Sequence, residues 1–448
     1  MFGIDHDGRK WCILAAMGAV IGTILLDEAL VGVALHTIRL DLALSEIASY
    51  WVIGSYMLAF VAVTAAGARL GEIVGLKPLL LVGIALFGLA SLASGFAPNG
   101  AWLIAARAVQ GLGAALILPA SIAIVGTLFS PGLRGRSLSV FGATGAALFA
   151  LGPLLGGLVT ELLSWRWIFW INPIIAAAIA LTVLLAWAHP PRARAAPKFD
   201  VAGFLTCAGG LGMLVFALLL GPVLGWSQVG VLALFIGAVV ALAVFVVVEG
   251  RYSDPLIEVS LFRNGAVSAC SLVLFTAQFS RTSVIVFGAL YLQQVLRLSP
   301  LSAGLTLLAA VAPVPLAAVA AGRFSNRYGA RLPTICGLAL TGFALAWISI
   351  AVRQDGAAWM VPSLLVYGFA LPLIILPPRR RVMQAVAIEK QAQAGGTVLT
   401  AQVLGGAIGI AVCGALLATT GDFGLVYLTT SLLALAVLAF SWLALGMR

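Results

Sequence analysis

Residues 231–248, VLALFIGAVVALAVFVVV, form an uninterrupted apolar run that decides the class of fold. Coiled as an α-helix at about 1.5 Å per residue, a run of this length nearly crosses the roughly 30 Å hydrocarbon core of a bilayer. A strand of a membrane barrel would alternate polar and apolar side chains, whereas this run is apolar on every face. The stretch therefore predicts a membrane-spanning α-helix.

The rest of the chain has the same character. Of its 448 residues, 62% are hydrophobic and 9% are charged, and the mean hydropathy is +1.14. So few polar side chains cannot coat a water-soluble core. Division at charged residues, prolines and glycines predicts an all-α polytopic membrane protein with 14 transmembrane helices. The predicted helices lie at 11–35, 49–70, 78–97, 101–125, 138–160, 168–188, 201–221, 229–248, 266–293, 301–320, 332–352, 357–377, 396–418 and 423–446.

The basic residues predict how the chain is oriented. Although the net charge is +10, Lys and Arg lie at the ends of apolar runs rather than on one face, which argues against nucleic acid as a partner. With a cytoplasmic amino terminus, almost all of them face the cytoplasm, as membrane proteins prefer. The exceptions are Arg39, Arg166, Arg297 and Arg353 outside, and Arg107 and Arg281 within helices. Both termini are therefore predicted to be cytoplasmic.

The composition also predicts the cellular setting and argues against some functions. The use of 21 Arg against four Lys is typical of a GC-rich bacterium, which predicts the bacterial cytoplasmic (inner) membrane. No lysine lies in G-x-x-x-x-G-K-[ST], so an ATP-driven pump is disfavoured, and H-E-x-x-H and G-x-S-x-G are absent, so an enzyme is not expected. The five cysteines lie in apolar segments without a C-x-x-C pair, which predicts neither disulfides nor a metal site.

An internal repeat predicts the domain organisation. Residues 68–77, ARLGEIVGLK, align with residues 322–331, GRFSNRYGAR, at an offset of 254, and each copy follows the second helix of a six-helix set. Two six-helix halves are therefore predicted, with an inserted helix pair between them in the chain and a cavity between the halves. The predicted parts are the amino-terminal half at 11–188, the inserted pair at 201–248 and the carboxy-terminal half at 266–446.

These loops resemble the conserved loop motif of the major facilitator superfamily, and further segments are similar to its fourteen-helix drug:proton antiporter branch. Residues 107–113, RAVQGLG, resemble the branch's R-x-x-Q-G-x-G, and residues 152–157, GPLLGG, resemble its antiporter motif G-P-x-x-G-G. The further matches, in chain order, are WRWIF at 165–169, FDVAG at 199–203, YLQQVL at 291–296 and SAG at 302–304.

The resemblance runs almost from end to end and implies a function. A protein of this branch is a secondary transporter that exports small amphipathic molecules, including drugs and antibiotics, by proton antiport through alternating access. Protons, the amphipathic substrate and membrane lipid would be its partners, the proton gradient would drive it without a cofactor, and a monomer is expected.

Two adjacent carboxylates in the first helix are the candidate proton carriers. Asp27 and Glu28 lie about two-thirds along an apolar helix, where an ionised side chain costs about 2.5–3.5 kcal/mol on insertion scales. Because neighbouring residues point about 100° apart on a helix, one of the two is expected to face the central cavity. The resemblance favours Asp27 in the cavity, with Glu28 facing a neighbouring helix; the alternative is a structural partner for a buried Arg.

Further polar residues complete the predicted cavity. Arg107 and Gln110 lie three residues apart on one helical face, and the resemblance assigns Arg107 to proton coupling. Arg281 is an intramembrane cation that needs a partner, and Gln293 lies later in the same predicted helix. The repeat offset of 254 places Arg281 opposite Asp27, so we hypothesise that these two pair across the halves; alternatively, Arg281 holds an anionic group of the substrate.

A third set of residues is predicted to serve conformational change. In the fifth helix, Gly152, Pro153, Gly156 and Gly157 combine a kink with small-residue spacing, which would let this helix press against the other half. In the two repeat loops, the corresponding residues are Glu72, Gly75, Lys77, Arg323, Gly329 and Arg331. The triplet Arg379 to Arg381 departs from the family's pattern of small apolar residues there, and the resemblance gives no account of it.

Several alternatives to a proton-coupled multidrug exporter remain. They are a dedicated exporter of an endogenous metabolite or anionic amphipath, a non-antiport facilitator, an importer, and a non-transporting sensor of the same fold. The Gly152–Pro153 segment argues against import, and Asp27 with Arg107 argues against an inactive scaffold. With Arg107 and Arg281 both inside the membrane, neutral or anionic amphipaths fit at least as well as cationic ones.

Overall fold

The computed structural model describes residues 6–129, 131–187, 199–252, 255–354, 356–387 and 390–444. Within these ranges it contains fourteen helices long and apolar enough to cross a membrane and no β-strand, so the predicted all-helical class and helix count are confirmed. The residues 188, 445 and 446 of the predicted domain boundaries lie outside the described ranges. The domain boundaries themselves stay a prediction.

We number the helices α1 to α14 in chain order. Their bounds are α1 His6–Asp41, α2 Glu46–Val74, α3 Leu76–Gly95, α4 Gly100–Leu128, α5 Pro131–Leu162, α6 Trp167–Ala186, α7 Val201–Leu224, α8 Val229–Glu249, α9 Gly265–Val295, α10 Pro300–Tyr328, α11 Arg331–Ala351, α12 Ala357–Ala385, α13 Gln391–Thr420 and α14 Phe423–Ala444.

Capping side chains fix several of the helix starts. Ser45, Asn99 and Asp200 each accept a hydrogen bond from a backbone N–H in the first turn of the following helix, which satisfies a donor that the helix leaves unpaired. Gly75 joins α2 directly to α3 with a φ of +94°, a conformation that favours glycine. Tight turns of this kind keep the helices adjacent and antiparallel.

The helices pack as two groups. In the first half, α4 packs on α2 and α3, α1 packs on α5 and α6, and α3 packs on α6. In the second half, α13 packs on α9, and α11 packs on both α12 and α14. The helices α7 and α8 pack on each other, and α7 also contacts α2 and α13, one helix from each half. In the apolar 18-residue core of α8 only 17% of the residues are buried, so α8 faces lipid.

Two helices of the second half are irregular, which the sequence did not predict. The α9 helix changes from α-helical to π-helical hydrogen bonding at Ser283–Phe287 and again at Tyr291–Val295. The α10 helix is interrupted between Val311 and Val314, where prolines remove backbone donors. All residues of Ser283–Phe287 and the first three of Tyr291–Val295 are buried, so this irregular backbone lies within protein and not in lipid.

Because the number of spans is even, the start of the first helix and the end of the last helix lie on the same side of the membrane. We call this side, which carries His6 and Ala444, the terminal face, and the other side the opposite face. The α1–α2 loop, the α5–α6 loop and the α9–α10 loop belong to the opposite face.

Candidate functional site

A buried polar network surrounds Asp27 inside the first half. The Asp27 side chain has no solvent exposure, and its Oδ2 accepts a hydrogen bond from Nη1 of Arg107 at 2.6 Å. Its Oδ1 accepts from Nε2 of Gln110 at 3.0 Å and from Nδ2 of Asn172 at 2.8 Å. Helices α1, α4 and α6 therefore meet at one carboxylate, and the charge is matched by an adjacent guanidinium.

The surroundings of Arg107 hold its guanidinium in place. Its Nη1 also donates to Oε1 of Gln110 at 2.6 Å, one turn along α4, as the spacing of these residues predicts. Its Nε donates to the carbonyl oxygen of Val52 at 3.2 Å. The guanidinium lies over the Tyr56 ring, 4.3 Å from the ring centroid, and 5.7 Å from that of Phe169.

A second buried ion pair crosses between the halves. Glu28 on α1 accepts a hydrogen bond at 2.6 Å from Nη2 of Arg281 on α9, and these two side chains are 9% and 8% exposed. Nε2 of Gln278, one turn earlier on α9, donates to the other oxygen of Glu28 at 3.0 Å. A single carboxylate of the first half is thus held by two side chains of the second half.

The hypothesis that Asp27 pairs with Arg281 is wrong in this structure. Arg281 pairs with Glu28, and Asp27 pairs with Arg107 in its own half. The partner that the repeat offset indicated is one residue away from the observed partner of Arg281. One residue on a helix is a rotation of about 100°, so the assignment of the two carboxylates is exchanged: Glu28 faces the other half, and Asp27 faces a neighbouring helix.

The network around Glu28 continues through amide side chains to a third arginine. Nε2 of Gln402 on α13 lies 3.5 Å from Oε1 of Gln278, and Oε1 of Gln402 accepts a hydrogen bond from Nη2 of Arg379 at 2.7 Å. Arg379 is the first residue of the triplet Arg379 to Arg381, to which the sequence analysis assigned no function. The structure connects it, through Gln402 and Gln278, to the pair that joins the halves.

Gln293 also crosses between the halves, nearer the opposite face. Its Nε2 donates to the carbonyl oxygen of Val33 on α1 at 2.8 Å, and its side chain is buried. The structure therefore places Gln293 against the backbone of α1.

The glycine-proline motif of α5 contacts two different helices. Gly152 lies against Ala29 and Gly156 against Leu30, both on α1 within the same half. Gly157 lies against the backbone of Pro300 and Leu301 on α10. The expectation that the motif presses on the other half is therefore met by Gly157, whereas Gly152 and Gly156 pack inside their own half.

The contact between α5 and α10 joins the two halves in the part of the membrane nearer the opposite face. A Cβ at Gly157 would meet the carbonyl oxygen of Pro300, and a Cβ at Gly304 would meet that of Pro153, so the two backbones touch. The backbone N–H of Leu301 donates to Oε2 of Glu161 at 2.9 Å at the same end. We call this contact, formed by Pro153, Gly157, Pro300 and Gly304, the α5–α10 seam.

The repeat loops lie on the terminal face, as predicted. Glu72 forms an ion pair with Arg69 at 2.6 Å, one turn earlier on α2. The Nζ of Lys77 is buried and donates to the carbonyl oxygen of Trp187 at 2.5 Å, so it ties α3 to the end of α6.

The second copy of the loop makes different contacts. Gly329 ends α10 with a φ of +75°. Arg331 donates to the carbonyl oxygen of Trp442 at 2.9 Å and lies over its ring. Arg323 is exposed.

Several polar residues of the site were not predicted. Asn172 and Ser91, which hydrogen-bond to each other at 3.0 Å, extend the Asp27 network, and Gln278 and Gln402 extend the Glu28 network. Each of the four is a polar residue inside an apolar helix, a pattern that marks them as candidates together with other buried polar residues. Tyr56, whose buried hydroxyl has no partner among the described residues, was also missed.

The chemistry available to these groups is proton and ion exchange. Each carboxylate is held by a guanidinium that cannot lose its proton, so protonation of the carboxylate removes the attraction within that pair. For Asp27 and Arg107 the change would stay inside one half. For Glu28 and Arg281 it would loosen the contact between the halves.

Comparisons with known proteins agree with this arrangement. The sequence model of the Major Facilitator Superfamily matches residues 17–256, 200–409 and 270–447. The multidrug resistance protein Stp of Mycobacterium tuberculosis is 31% identical over 90% of this chain and 75% of its own length. The puromycin resistance protein pur8 of Streptomyces alboniger is 33% identical over 91% of this chain and 81% of its own length.

Solved structures share the fold at low sequence identity. The transporter PepTSo of the POT family has a TM-score of 0.70 at 14% identity, covering 99% of this chain and 98% of its own. The nucleoside transporter NupG has a TM-score of 0.67 at 14% identity, covering 97% of this chain and 99% of its own.

Proposed function

Because this chain belongs to the major facilitator superfamily and is similar to multidrug and antibiotic resistance proteins, we propose that it exports small amphipathic molecules from bacteria. Export proceeds by alternating access between its two halves, and exchange for protons drives it without a cofactor. The protein acts as a monomer in the cytoplasmic membrane, with the terminal face towards the cytoplasm, as the distribution of basic residues favours.

The observation that carries the proposal is the ion pair of Glu28 with Arg281. It is buried, it lies about two-thirds along α1, and it joins the halves that must separate in alternating access. A buried carboxylate that loses its charge also loses its attraction to a guanidinium, so a single proton changes the energy of that contact by several kcal/mol. Proton binding and movement of the halves are thereby coupled at one residue.

The proposed cycle uses this pair as follows. With the α5–α10 seam closed, substrate enters between the halves from the terminal face and competes for the groups that hold Glu28. The pair opens, the halves rotate, and the substrate leaves at the opposite face. A proton from outside then binds Glu28 and keeps the pair open while the halves return, and release of the proton to the cytoplasm restores the pair. Each charge that crosses contributes about 2.3 kcal/mol per 100 mV.

The Asp27 network has a different part in this proposal. It is satisfied entirely inside the first half, through Arg107, Gln110 and Asn172. It holds α1 against α4 and α6, so that Glu28 faces α9 at a fixed depth in the membrane.

Uptake into inverted membrane vesicles with an imposed pH gradient tests the proposal. The probes are neutral N-phenyl-1-naphthylamine, cationic ethidium and anionic 8-anilinonaphthalene-1-sulfonate. We expect gradient-dependent uptake of at least one probe, abolished by a protonophore and lost in Glu28→Gln. Glu249→Gln is the matched control, because Glu249 is a buried carboxylate of the inserted pair, outside both networks.

Two results would contradict the proposal. Uptake that continues unchanged after the protonophore would show a facilitator, and gradient-dependent uptake in Glu28→Gln equal to the wild type would assign coupling to another group.

A further inference from the structure

We propose that the cargo of this exporter carries an anionic group, a carboxylate or sulfonate, which binds between the guanidinium groups of Arg281 and Arg379. The inference rests on the proposed export function and specifies the chemical class of its substrate. It is carried by the charge balance, the unused donors and the apolar surroundings of the Glu28 network.

The charge balance of this network is positive. Among the described residues it contains two guanidinium groups, those of Arg281 and Arg379, and one carboxylate, that of Glu28. The charges of Asp27 and Arg107 cancel within their own pair. Within the part of the chain that the structure describes, one of these positive charges therefore has no carboxylate partner, and a partly buried charge is costly unless an anion joins it.

The hydrogen-bond donors of the two arginines are also in excess. Arg281 is only 6% exposed, and its Nε has no hydrogen-bond partner among the residues that the structure describes. Within the described part of the chain, the one side-chain partner of Arg379 is the amide oxygen of Gln402. A guanidinium has five N–H donors arranged for two-point contact with a planar oxyanion, so both side chains have donors to offer a carboxylate or sulfonate.

A series of hydrogen-bonded side chains connects the two arginines, and Arg379 is the one nearer the terminal face. Arg379 is part-buried and near the terminal end of α12, directly after Pro377 and Pro378. From there the hydrogen bonds run through Gln402 and Gln278 to Glu28, the partner of Arg281. An anion entering from the terminal face would meet Arg379 first and the buried Arg281 second.

The surroundings of Arg281 suit the apolar part of an amphipathic anion. Its guanidinium lies 4.9 Å from the centroid of the Phe149 ring on α5. The hydroxyl of the adjacent Ser280 lies 3.1 Å from that of Tyr367 on α12. The guanidinium can bind the charge of an aromatic acid, and the neighbouring aromatic side chains can pack against its ring system.

Such a ligand would act on the contact between the halves. Its oxygens would compete with Glu28 for Arg281, so binding of the anion and protonation of Glu28 are two separate ways of opening the same pair. When neither the anion nor the proton is bound, the pair stays closed and holds the halves together. The halves then move only with one of the two bound, which is the condition for exchanging the anion for the proton.

Binding of two nearly identical amphipaths to the purified full-length protein in detergent tests the inference. The probes are 8-anilinonaphthalene-1-sulfonate and N-phenyl-1-naphthylamine, which share one ring system and differ in the sulfonate. Calorimetric titration gives a Kd for each, and the quantity compared is the ratio of the two. We expect the sulfonate to bind more tightly, and Arg379→Gln to weaken its binding about tenfold more than that of the neutral probe.

Two further variants separate the site from general effects of charge and folding. Arg380→Gln removes the same charge one residue later, where the exposed side chain bonds to Asn326, and should leave the ratio unchanged. Arg379→Lys keeps the charge without the planar group and should give an intermediate ratio. Elution as a single symmetric peak in size-exclusion chromatography checks that each variant is folded.

The outcomes are distinct from those of the export test. Failure of the sulfonate to bind, tighter binding of the neutral probe, or equal weakening of both probes in Arg379→Gln would overturn the anion site. Selective sulfonate binding combined with vesicle uptake that ignores the pH gradient would instead support the anion site and contradict proton antiport.

Discussion

Adjacent residues on one helix have separate partners in this protein. Asp27 bonds within the first half, and Glu28 bonds to the second, because one residue turns the side chain by about 100° around α1. The two buried pairs are therefore expected to differ in what their loss does, one affecting stability and the other affecting coupling.

We expect Asp27→Asn to lower stability strongly. The amide keeps the shape of the side chain but leaves Arg107 buried without a counter-ion, which costs about 3–5 kcal/mol when one partner of a buried pair is removed. Thermal unfolding in detergent measures the effect. The control is Asp422→Asn, because Asp422 pairs with Arg353 where the side chains are 37% and 58% exposed, and such pairs contribute about 1 kcal/mol or less. Equal losses in both variants would contradict the prediction.

Sequence alone predicts much of the first network and little of the second. The spacing of Arg107 and Gln110 on α4 places them together. Asp27 and Glu28 are acidic residues inside an apolar helix, so each is predicted to have a polar or charged partner. Which arginine each one meets depends on the rotation and height of α1 relative to α4 and α9. Those quantities come from packing between helices, and no repeat offset contains them.

At the scale of elements, α5 is the helix that connects the two kinds of contact. One side of its motif packs on α1, which carries both carboxylates, and Gly157 packs on α10 in the α5–α10 seam. Movement at the seam is therefore transmitted to α1 over a few residues of one helix. The sequence predicts the closeness of α5 to a partner from its glycines, but not which glycine meets which helix.

Adding a methyl group to the seam should open it. In Gly157→Ala the new Cβ would be 2.8 Å from Cα of Leu301, and overpacking costs about 1–3 kcal/mol, which lowers the closed population by roughly 5–150-fold. Oxidative cross-linking of a Glu161→Cys, Leu301→Cys pair reports the closed seam and should become slower. Gly142→Ala in the same helix is the control, because nothing lies within 4 Å of its added Cβ. Cross-linking as fast as in the control would contradict the prediction.

A surface ion pair connects the segment before α9 to the residue before α13. Hydrogen bonds from Lys390 and then from Ser260 hold the pKa of the Glu258 carboxyl below its ordinary value. A carboxylate whose pKa is lower in the folded state adds stability above its unfolded pKa, and this is lost as the pH falls through the folded value. Lys390→Met should therefore cost about 0.2–1 kcal/mol near neutral pH and nothing in acid. Melting temperatures of both proteins between about pH 7 and 3 test this, and a difference that is constant with pH would contradict it.

At the scale of the whole molecule, the hydrogen bonds between the halves are unevenly distributed. Among the described residues, the hydrogen bonds from one half to the other involve Glu28, Val33 and Glu161 in the first half. All three lie in the part of the membrane nearer the opposite face. These hydrogen bonds join the halves on the side at which, in the proposed orientation, the substrate leaves.

The orientation itself has a direct test. In a variant whose five cysteines are replaced by alanine, Leu163→Cys on the opposite face should react with a membrane-impermeant maleimide on intact cells. Val74→Cys on the terminal face should react only after the cells are opened. Both positions are exposed, at 64% and 44%, so access is decided by side of the membrane alone. The reverse pattern would invert the predicted topology.

The α5–α10 seam has a consequence for selectivity. It closes with backbone against backbone, and its own residues, two prolines and two glycines, have no polar side chain that could recognise one departing molecule and refuse another. We therefore expect selection among substrates to take place on entry, and release at the opposite face to be unselective. A change in what this protein exports should therefore arise from substitutions around the interior arginines and amides, while substitutions in the seam alter how often it opens for every cargo alike.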